Sequence, residues 1–579
     1  MTTEAAVQTY RVDDIPLLVW QQRVMGIPQI IDEIVQPHGN RQGLSIGWTV
    51  VGWLSYILSQ ADHRLSYVES WAAEQLKMLQ ALIPAEVRVC DFSDDRLGDV
   101  LRHLSDDTTW AAIEVELGQQ ILQVYELAPE RVHVDSTSAV LYHDPAGQPL
   151  VGYGHSKDHR PDLAQFKIML SSLAPLGLPL ATMTVPGNCA DDGLYLPVIE
   201  QTRQVLQRRG LLYIGDSKME ALAIRAAVAS GNDFYLVPLS KKGSQAQLLD
   251  ELLTPVWAEQ QTLTAIYDQA DGSERRLLAK AFETTRRQAA QGADEPGPVG
   301  TPWQERVLVV YSPTLAEQAS QALTQRLQQA QTALLALTLP PGRGRRQWSE
   351  LAPLQAAVDA IIQRFRVSEL LTVTFERQES QRPLRKYKER PPGSTTKVRY
   401  QLQVAPDLAA VARLRRTLGW RLFVTNCPTT QFSLADAVYA YREAPLHEHN
   451  FSRLKNRPLG LRPLYVHRPE HMVGLVRLLS VALRLLTLVE FVVRRELDKQ
   501  HIALSALYEG NPHRPTTQPT TERLLRAFQP ITLTSITLSG QHISHLTPLT
   551  PLQLQILALL GLPETVYTDL TKPDNAIPP

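Results

Sequence analysis

The chain predicts an α/β fold: a mixed sheet interrupted by an inserted α+β domain and preceded by an N-terminal helical domain. Three observations lead there. Two short apolar runs, Arg131-Val-His-Val-Asp135 and Leu211-Leu-Tyr-Ile-Gly-Asp216, finish in an acidic residue as strands do where they give way to loops. Strand-like and helix-like patterns alternate around them. Ahead of them, residues 1–125 carry apolar residues at three- and four-residue intervals, the period of a helix face. At 579 residues the chain exceeds what one ordinary core holds, so two to four domains are expected.

Within residues 1–125, Pro28–Val35 and Gly47–Leu58 read as helices, and Asp94–Leu104 as a third that starts from a Ser-Asp-Asp signal. Residues 126–245 give the strand ending in Asp135 and the strands Phe166–Leu173 and Leu178–Val185, which flank the turn Pro175-Leu-Gly-Leu-Pro179. A helix over Tyr195–Gln207, the strand ending in Asp216, a helix over Met219–Ala229 and the strand Asp233–Pro238 follow. Three strands, then helix, strand, helix and strand fit the mixed sheet of a ribonuclease H-like fold. In that fold the first and fourth strands are neighbours, so their terminal acids meet. Residues 246–415 read as the insertion, with strands at Thr262–Tyr267, Arg306–Tyr311, Leu371–Phe375 and Val398–Val404, a helix over Leu315–Leu337, and Pro/Gly-rich loops at 294–302 and 340–346. Residues 416–505 return to the sheet with the strand Arg421–Asn426, a Ser433-capped helix and a long apolar helix. Residues 506–579, rich in Thr and Pro, read as a small module or partly ordered tail.

Composition narrows the class. A hydrophobic share of 44% with 20% charged residues is that of a globular protein. The apolar stretch Met472–Val493 is broken by Arg477, Arg484 and Glu490, which argues for a buried helix rather than a membrane span. The first residues lack a basic region and an apolar run, and Cys90, Cys189 and Cys427 are far apart, so a cytoplasmic setting without signal peptide or disulfide framework is expected. Net charge is −1, but it is unevenly spread. Residues 1–130 hold 8 Lys/Arg against 19 Asp/Glu, whereas residues 340–470 hold 23 against 11. The basic region includes Arg343, Arg345, Arg346, Arg385, Lys386, Lys388, Arg390, Arg413, Arg415 and Arg416. Phosphate neutralisation and an ordinary solvated surface are both open readings of it.

The chemistry-bearing pattern is a pair of strand-terminal acids, Asp135 and Asp216, followed much later by Tyr441-x₆-Glu448-x₆-Lys455. A spacing of seven is about two helical turns, which sets Tyr441, Glu448 and Lys455 on one face. Carboxylates brought together on a sheet edge are ligands for hard divalent cations. The order Asp, Asp, Tyr-x₆-Glu-x₆-Lys, with a long insertion before the Glu, resembles the DDE transposases of bacterial insertion sequences. So do Ile27-Pro-Gln-Ile-Ile-Asp-Glu-Ile34, Arg41-Gln-Gly-Leu-Ser-Ile-Gly47, Gly154-His-Ser-Lys-Asp-His-Arg-Pro-Asp-Leu163 and Arg457-Pro-Leu-Gly-Leu-Arg-Pro-Leu464. The resemblance implies an Mg²⁺-dependent enzyme, with Mn²⁺ as substitute, that cuts double-stranded DNA at transposon ends and joins them to target DNA as a homodimer. It makes Asp135, Asp216 and Glu448 the catalytic ligands of two metal ions. Tyr441 and Lys455 become phosphate contacts, with Lys157, Arg160 and Arg453 as further DNA-binding candidates. The helical domain would recognise transposon ends or join protomers, and the insertion would cover the catalytic face and contact DNA.

Each assignment has a plainer rival. Strand-terminal aspartates are commonly turn or cap residues, a helical Glu is commonly solvated, and Asp144, Asp158, Asp162, Asp191 and Asp192 sit in turn-like contexts. His447 and His449 point to different helix faces, which disfavours zinc. One departure from the family pattern stands out. Ala444 occupies the position where many members have Arg, and Pro445 follows it, so the Glu448 helix is expected to begin at Pro445 and to leave Tyr441 outside. A ribonuclease H-like nuclease without strand transfer and an inactive DNA-binding remnant are the alternatives.

Overall fold

The computed structural model describes residues 6–36, 39, 42–142, 147–190, 192–268, 275–289, 302–340, 342, 347–384, 393–538 and 541–572. Asp144, Asp191 and the basic residues Arg343, Arg345, Arg346, Arg385, Lys386, Lys388 and Arg390 lie outside them.

A first strand, β1 (Ala6–Arg11), precedes a run of helices from Ile15 to Val124. Then come β2 (Arg131–Val140), β3 (Gln165–Ala174), β4 (Leu178–Pro186), β5 (Leu212–Gly215), β6 (Phe234–Pro238), β7 (Thr264–Tyr267), β8 (Leu277–Gln288) and β9 (Trp303–Tyr311). The hairpin β10 (Leu371–Leu384) and β11 (Gly393–Pro406), then β12 (Trp420–Thr425), β13 (Thr532–Leu538) and β14 (Gln541–Leu546) complete the strands. Nine of them form one mixed sheet in the order β4-β3-β2-β5-β6-β12-β9-β8-β7.

The first half of this sheet follows the expected element order. β2 pairs antiparallel with β3 and parallel with β5, so the first and fourth strands of the region are neighbours. The β2–β5 ladder runs to Val134↔Gly215, which sets Asp135 and Asp216 at the next step along adjacent strands. Asp135 is not a strand end, however. On its other edge β2 continues against β3 to Val140, because Ser136–Val140 still find ladder partners there.

The second half departs from the expectation. β7, β8 and β9 belong to the main sheet, joined through the antiparallel pairing of β9 with β12, and the separate inserted body begins only after Tyr311. That body has its own small cores, one around Leu323, Leu327 and Val367 and another around Trp348, Leu354 and Leu402. β8 escaped the sequence reading because its burial is irregular and it carries Lys280, Glu283, Arg286 and Arg287, so no clean two-residue alternation appears.

The helix Pro469–Gln500 runs through the middle of the largest core. It packs on the helix Asp94–Ser105 so closely that a Cβ on Gly474 would lie 2.1 Å from the Leu101 carbonyl oxygen. Arg477 donates to the Leu104 carbonyl at 2.9 Å and pairs with Asp107, which ties the N-terminal helices to the same core. Residues 506–572 are folded against it as well: Leu524, Leu525, Phe528 and Tyr567 are buried, and β13 pairs with β1 along its whole length.

Candidate functional site

The parallel register of β2 and β5 defines the edge at which the two aspartates stand. Asp135 is partly exposed; its Oδ1 accepts a hydrogen bond from Lys157 Nζ at 2.8 Å, and Lys157 also donates to the Ser136 carbonyl at 2.7 Å. Asp216 Oδ1 accepts from the Tyr195 hydroxyl at 2.5 Å and from the Lys218 N–H at 2.8 Å. The Asp216 carboxylate therefore caps the short turn Ser217–Glu220 while Tyr195, at the start of the helix Tyr195–Leu206, fixes its orientation.

The third element breaks where proline predicts. One helix spans Leu434–Arg442 and the next spans Ala444–Lys455 with Pro445 in its first turn, where the missing N–H costs nothing. Tyr441 thus ends one helix and Glu448 belongs to another, and the two meet across a cavity of about 480 Å³ that Arg421, Phe423, Arg442 and Pro445 also line. Burial raises the pKa of the Tyr441 phenol; Arg421 opposes the shift, and the negative charges of Asp216 and Asp135 add to it. Tyr441 consequently lies within electrostatic reach of both aspartates and shares a wall with Glu448, which is exposed.

Beneath Glu448 the helix is anchored to β2 and β3. His447 is enclosed, its Nδ1 2.5 Å from Ser172 Oγ, and its ring stacks on His133 at 6.2 Å between centroids. Glu443 reaches Arg131 at 3.2 Å. At the far end Lys455 donates to Thr137 Oγ1 and Asp158 Oδ1, both at 2.7 Å, and Arg462 pairs with Asp158 at 3.0 Å.

These contacts reassign several of the basic candidates. Lys455 is buried and joins its helix to β2, so in this arrangement its ammonium is occupied by protein oxygens rather than open to a phosphate. Arg453 is 4% exposed and its guanidinium is paired with Glu490 and Glu522, so in this arrangement it braces the interior. Arg160 lies on the surface, paired with Asp162 at 2.7 Å. Lys157 stands directly at Asp135. Two groups the sequence reading missed belong to the site. Tyr195 had no local signal; Arg421 did, as the one charged residue inside the apolar run Trp420–Thr425.

As a donor set, Asp135 and Asp216 are hard oxygen ligands on adjacent strands, and the ammonium seated on Asp135 marks a position that attracts a cation. That pair suits a divalent ion completed by water. Glu448 stands on the neighbouring cavity wall, and among the described residues no three His, Cys, Asp or Glu side chains are close enough together to hold an ion.

No family model matches the chain, and no curated protein matches it either. Among solved structures, the piggyBac transposase synaptic complex with hairpin DNA aligns over 90% of this chain and 82% of that one, with 8% sequence identity and a TM-score of 0.32. A likeness at that score establishes neither fold nor activity.

Proposed function

We propose that this chain is a DNA transposase of the DDE type, with a ribonuclease H-like catalytic sheet, that cleaves at its element's ends and transfers them into target DNA. The observation that carries the reading is the parallel β2–β5 register, which sets Asp135 beside Asp216 with Tyr441 in electrostatic reach of both. The Asp, Asp, Tyr-x₆-Glu-x₆-Lys order and the Gly154–Leu163 motif supply the rest. In this reading Asp135, Asp216 and Glu448 would hold two Mg²⁺ ions, with Mn²⁺ as substitute. When bound, such ions stabilise the attacking and leaving oxygens of an in-line displacement at phosphorus. The chain's own groups prepare the site. Tyr195 orients the Asp216 carboxylate, Lys157 balances Asp135, and Arg421 and Arg442 add positive charge to the cavity that Glu448 lines. Water attacks the phosphodiester at the element's end and displaces the 3′-oxygen as a free 3′-hydroxyl; that hydroxyl then attacks a target phosphodiester, forming the joined bond and displacing the target strand's own 3′-oxygen as a hydroxyl. The protein works as a homodimer on DNA in the cytoplasm.

The test is metal-dependent cleavage and joining of labelled DNA carrying the element's own end, comparing wild type with Asp216→Asn. Wild type yields joined product with Mg²⁺ or Mn²⁺. The variant loses more activity than the roughly 100-fold typical of an outer-shell partner of a metal ligand. One observation favours a second reading, an inactive DNA-binding remnant: Glu448 is not drawn into a ligand group with the aspartates. Folded wild-type protein that binds ends yet makes no cut with either metal would sink the transposase reading and leave the remnant.

A further inference from the structure

A second, larger cavity adjoins the C-terminal half of the Glu448 helix. It measures about 1230 Å³, and its walls come from four segments: His449 and Arg457 at that helix, Tyr508 and Arg514 in the loop after the long helix, Arg523 and Arg526 from the helix Thr521–Arg526, and Leu552 further on. All four arginines are exposed. Arg526 pairs with Glu509 at 3.1 Å, and the other acid in the walls, Glu522, is already taken by Arg453. Among the described residues no carboxylate pairs with Arg457, Arg514 or Arg523. Arg514 and Arg523 instead both lie over the Tyr508 ring, each with its guanidinium carbon 4.6 Å from the ring centre. Two like charges are thereby held no more than about 9 Å apart across one ring. Guanidinium groups fixed in this way on an aromatic plate are preorganised to bind phosphate.

We propose that this cleft holds the sugar–phosphate backbone of duplex DNA. Cations entering from three segments along an open cavity suit an extended polyanion better than a single small anion. The helix Ala444–Lys455 lines both cavities, contributing Pro445 and Glu448 to the smaller one and, one turn further along, His449 and Ser452 to the cleft. A duplex seated in the cleft therefore runs alongside the candidate site. The choice of DNA among polyanions rests on the function proposed above; the charge of the cleft does not.

The experiment is fluorescence anisotropy of full-length protein with a labelled random-sequence duplex of roughly three helical turns, in EDTA, over a series of salt concentrations. The Arg514→Gln/Arg523→Gln double variant is expected to bind roughly tenfold more weakly near 0.1 M salt, with the slope of log affinity against log salt reduced by about two. Arg457→Gln, on the opposite wall, is measured separately and should reduce the slope by about one, so a folding defect in one variant leaves the test intact. Arg102→Gln, exposed and distant in the fold, should leave both quantities unchanged. Unaltered affinity and slope in the folded cleft variants, or an equal loss in Arg102→Gln, would overturn the proposal, as would tighter binding of single-stranded RNA than of the duplex. Because no metal is present, protein that binds through the cleft but never cuts DNA refutes the cleavage reading alone.

Discussion

His447 shows how much one enclosed side chain can record. Burial, and then the positive fields of His133 and Lys157, lower its pKa from the ordinary histidine value to about 3, so it is neutral while it shares a hydrogen bond with Ser172. Glu443 stands 3.9 Å from His133. In the unfolded chain the same imidazole titrates near 6.5. Between about pH 6.5 and 3 the unfolded state therefore carries a proton that the folded state refuses. Stability is fully present above that window and falls as pH drops through it, by up to roughly 1.4 kcal/mol per pH unit. His63, lowered to about 4 by burial, acts in the same direction. We expect urea midpoints at pH 7 and pH 4.5 to lie closer together for His447→Asn than for wild type; an unchanged gap would assign the acid sensitivity elsewhere. Nothing in the sequence marks His447 over His449. The difference between a core histidine and a cleft-lining one is decided by which helix face meets β2 and β3.

At the scale of elements, the helix Pro469–Gln500 is the clearest success of composition-based reading. Its length and hydropathy would let it cross a membrane, yet 94% of its apolar window is buried inside the protein. The charges that argued against a span turn out to be its fastenings. Arg484 donates to Glu114 Oε1 at 2.7 Å, to the Pro179 carbonyl at 3.0 Å and to the Leu180 carbonyl at 2.8 Å, linking the long helix to the helix Asp107–Val124 and to β4. Removing one partner strands the other charge in the interior, so Arg484→Leu should cost about 3–5 kcal/mol by urea unfolding. Adding Glu114→Leu should recover part of that loss. The break before Pro445 was equally legible, because a proline limits helix geometry wherever it stands. β8 was not, since an irregularly covered strand leaves no period to read. Its place in the sheet is set by β7 and β9, the strands before and after it in the chain, which pair with its two edges.

Over the whole molecule, β1 and the helices after it form one structure with the segment that follows residue 530. β1 pairs with β13 from Ala6↔Thr537 to Arg11↔Thr532, and the Tyr567 hydroxyl donates to the Asp13 carbonyl at 3.2 Å. A chain truncated after residue 505 loses that strand partner and uncovers the side of the long helix that packs on Leu524 and Phe528. We expect such a truncation to aggregate or to unfold at least 10 °C lower, with N-terminal fragments appearing early in limited proteolysis; a truncated protein as stable as the full chain would make residues 506–579 a mere appendage. By itself the sequence determined the local grammar of this protein: the helical N-terminal run, the order of strands through Asp216, the proline-set start of the Glu448 helix and the residue types able to serve a metal-dependent phosphoryl transfer. Those follow from period, backbone restriction and side-chain chemistry, which act within a few residues. Tertiary structure alone decided that β7–β9 extend the main sheet, that β1 is zipped to β13, that Arg453 and Lys455 are internal braces, and that Arg457, Arg514, Arg523 and Arg526 line one cleft. The pairing of strands and the destination of each charge are settled by partners far away along the chain, and burial changes what the same charge is able to do.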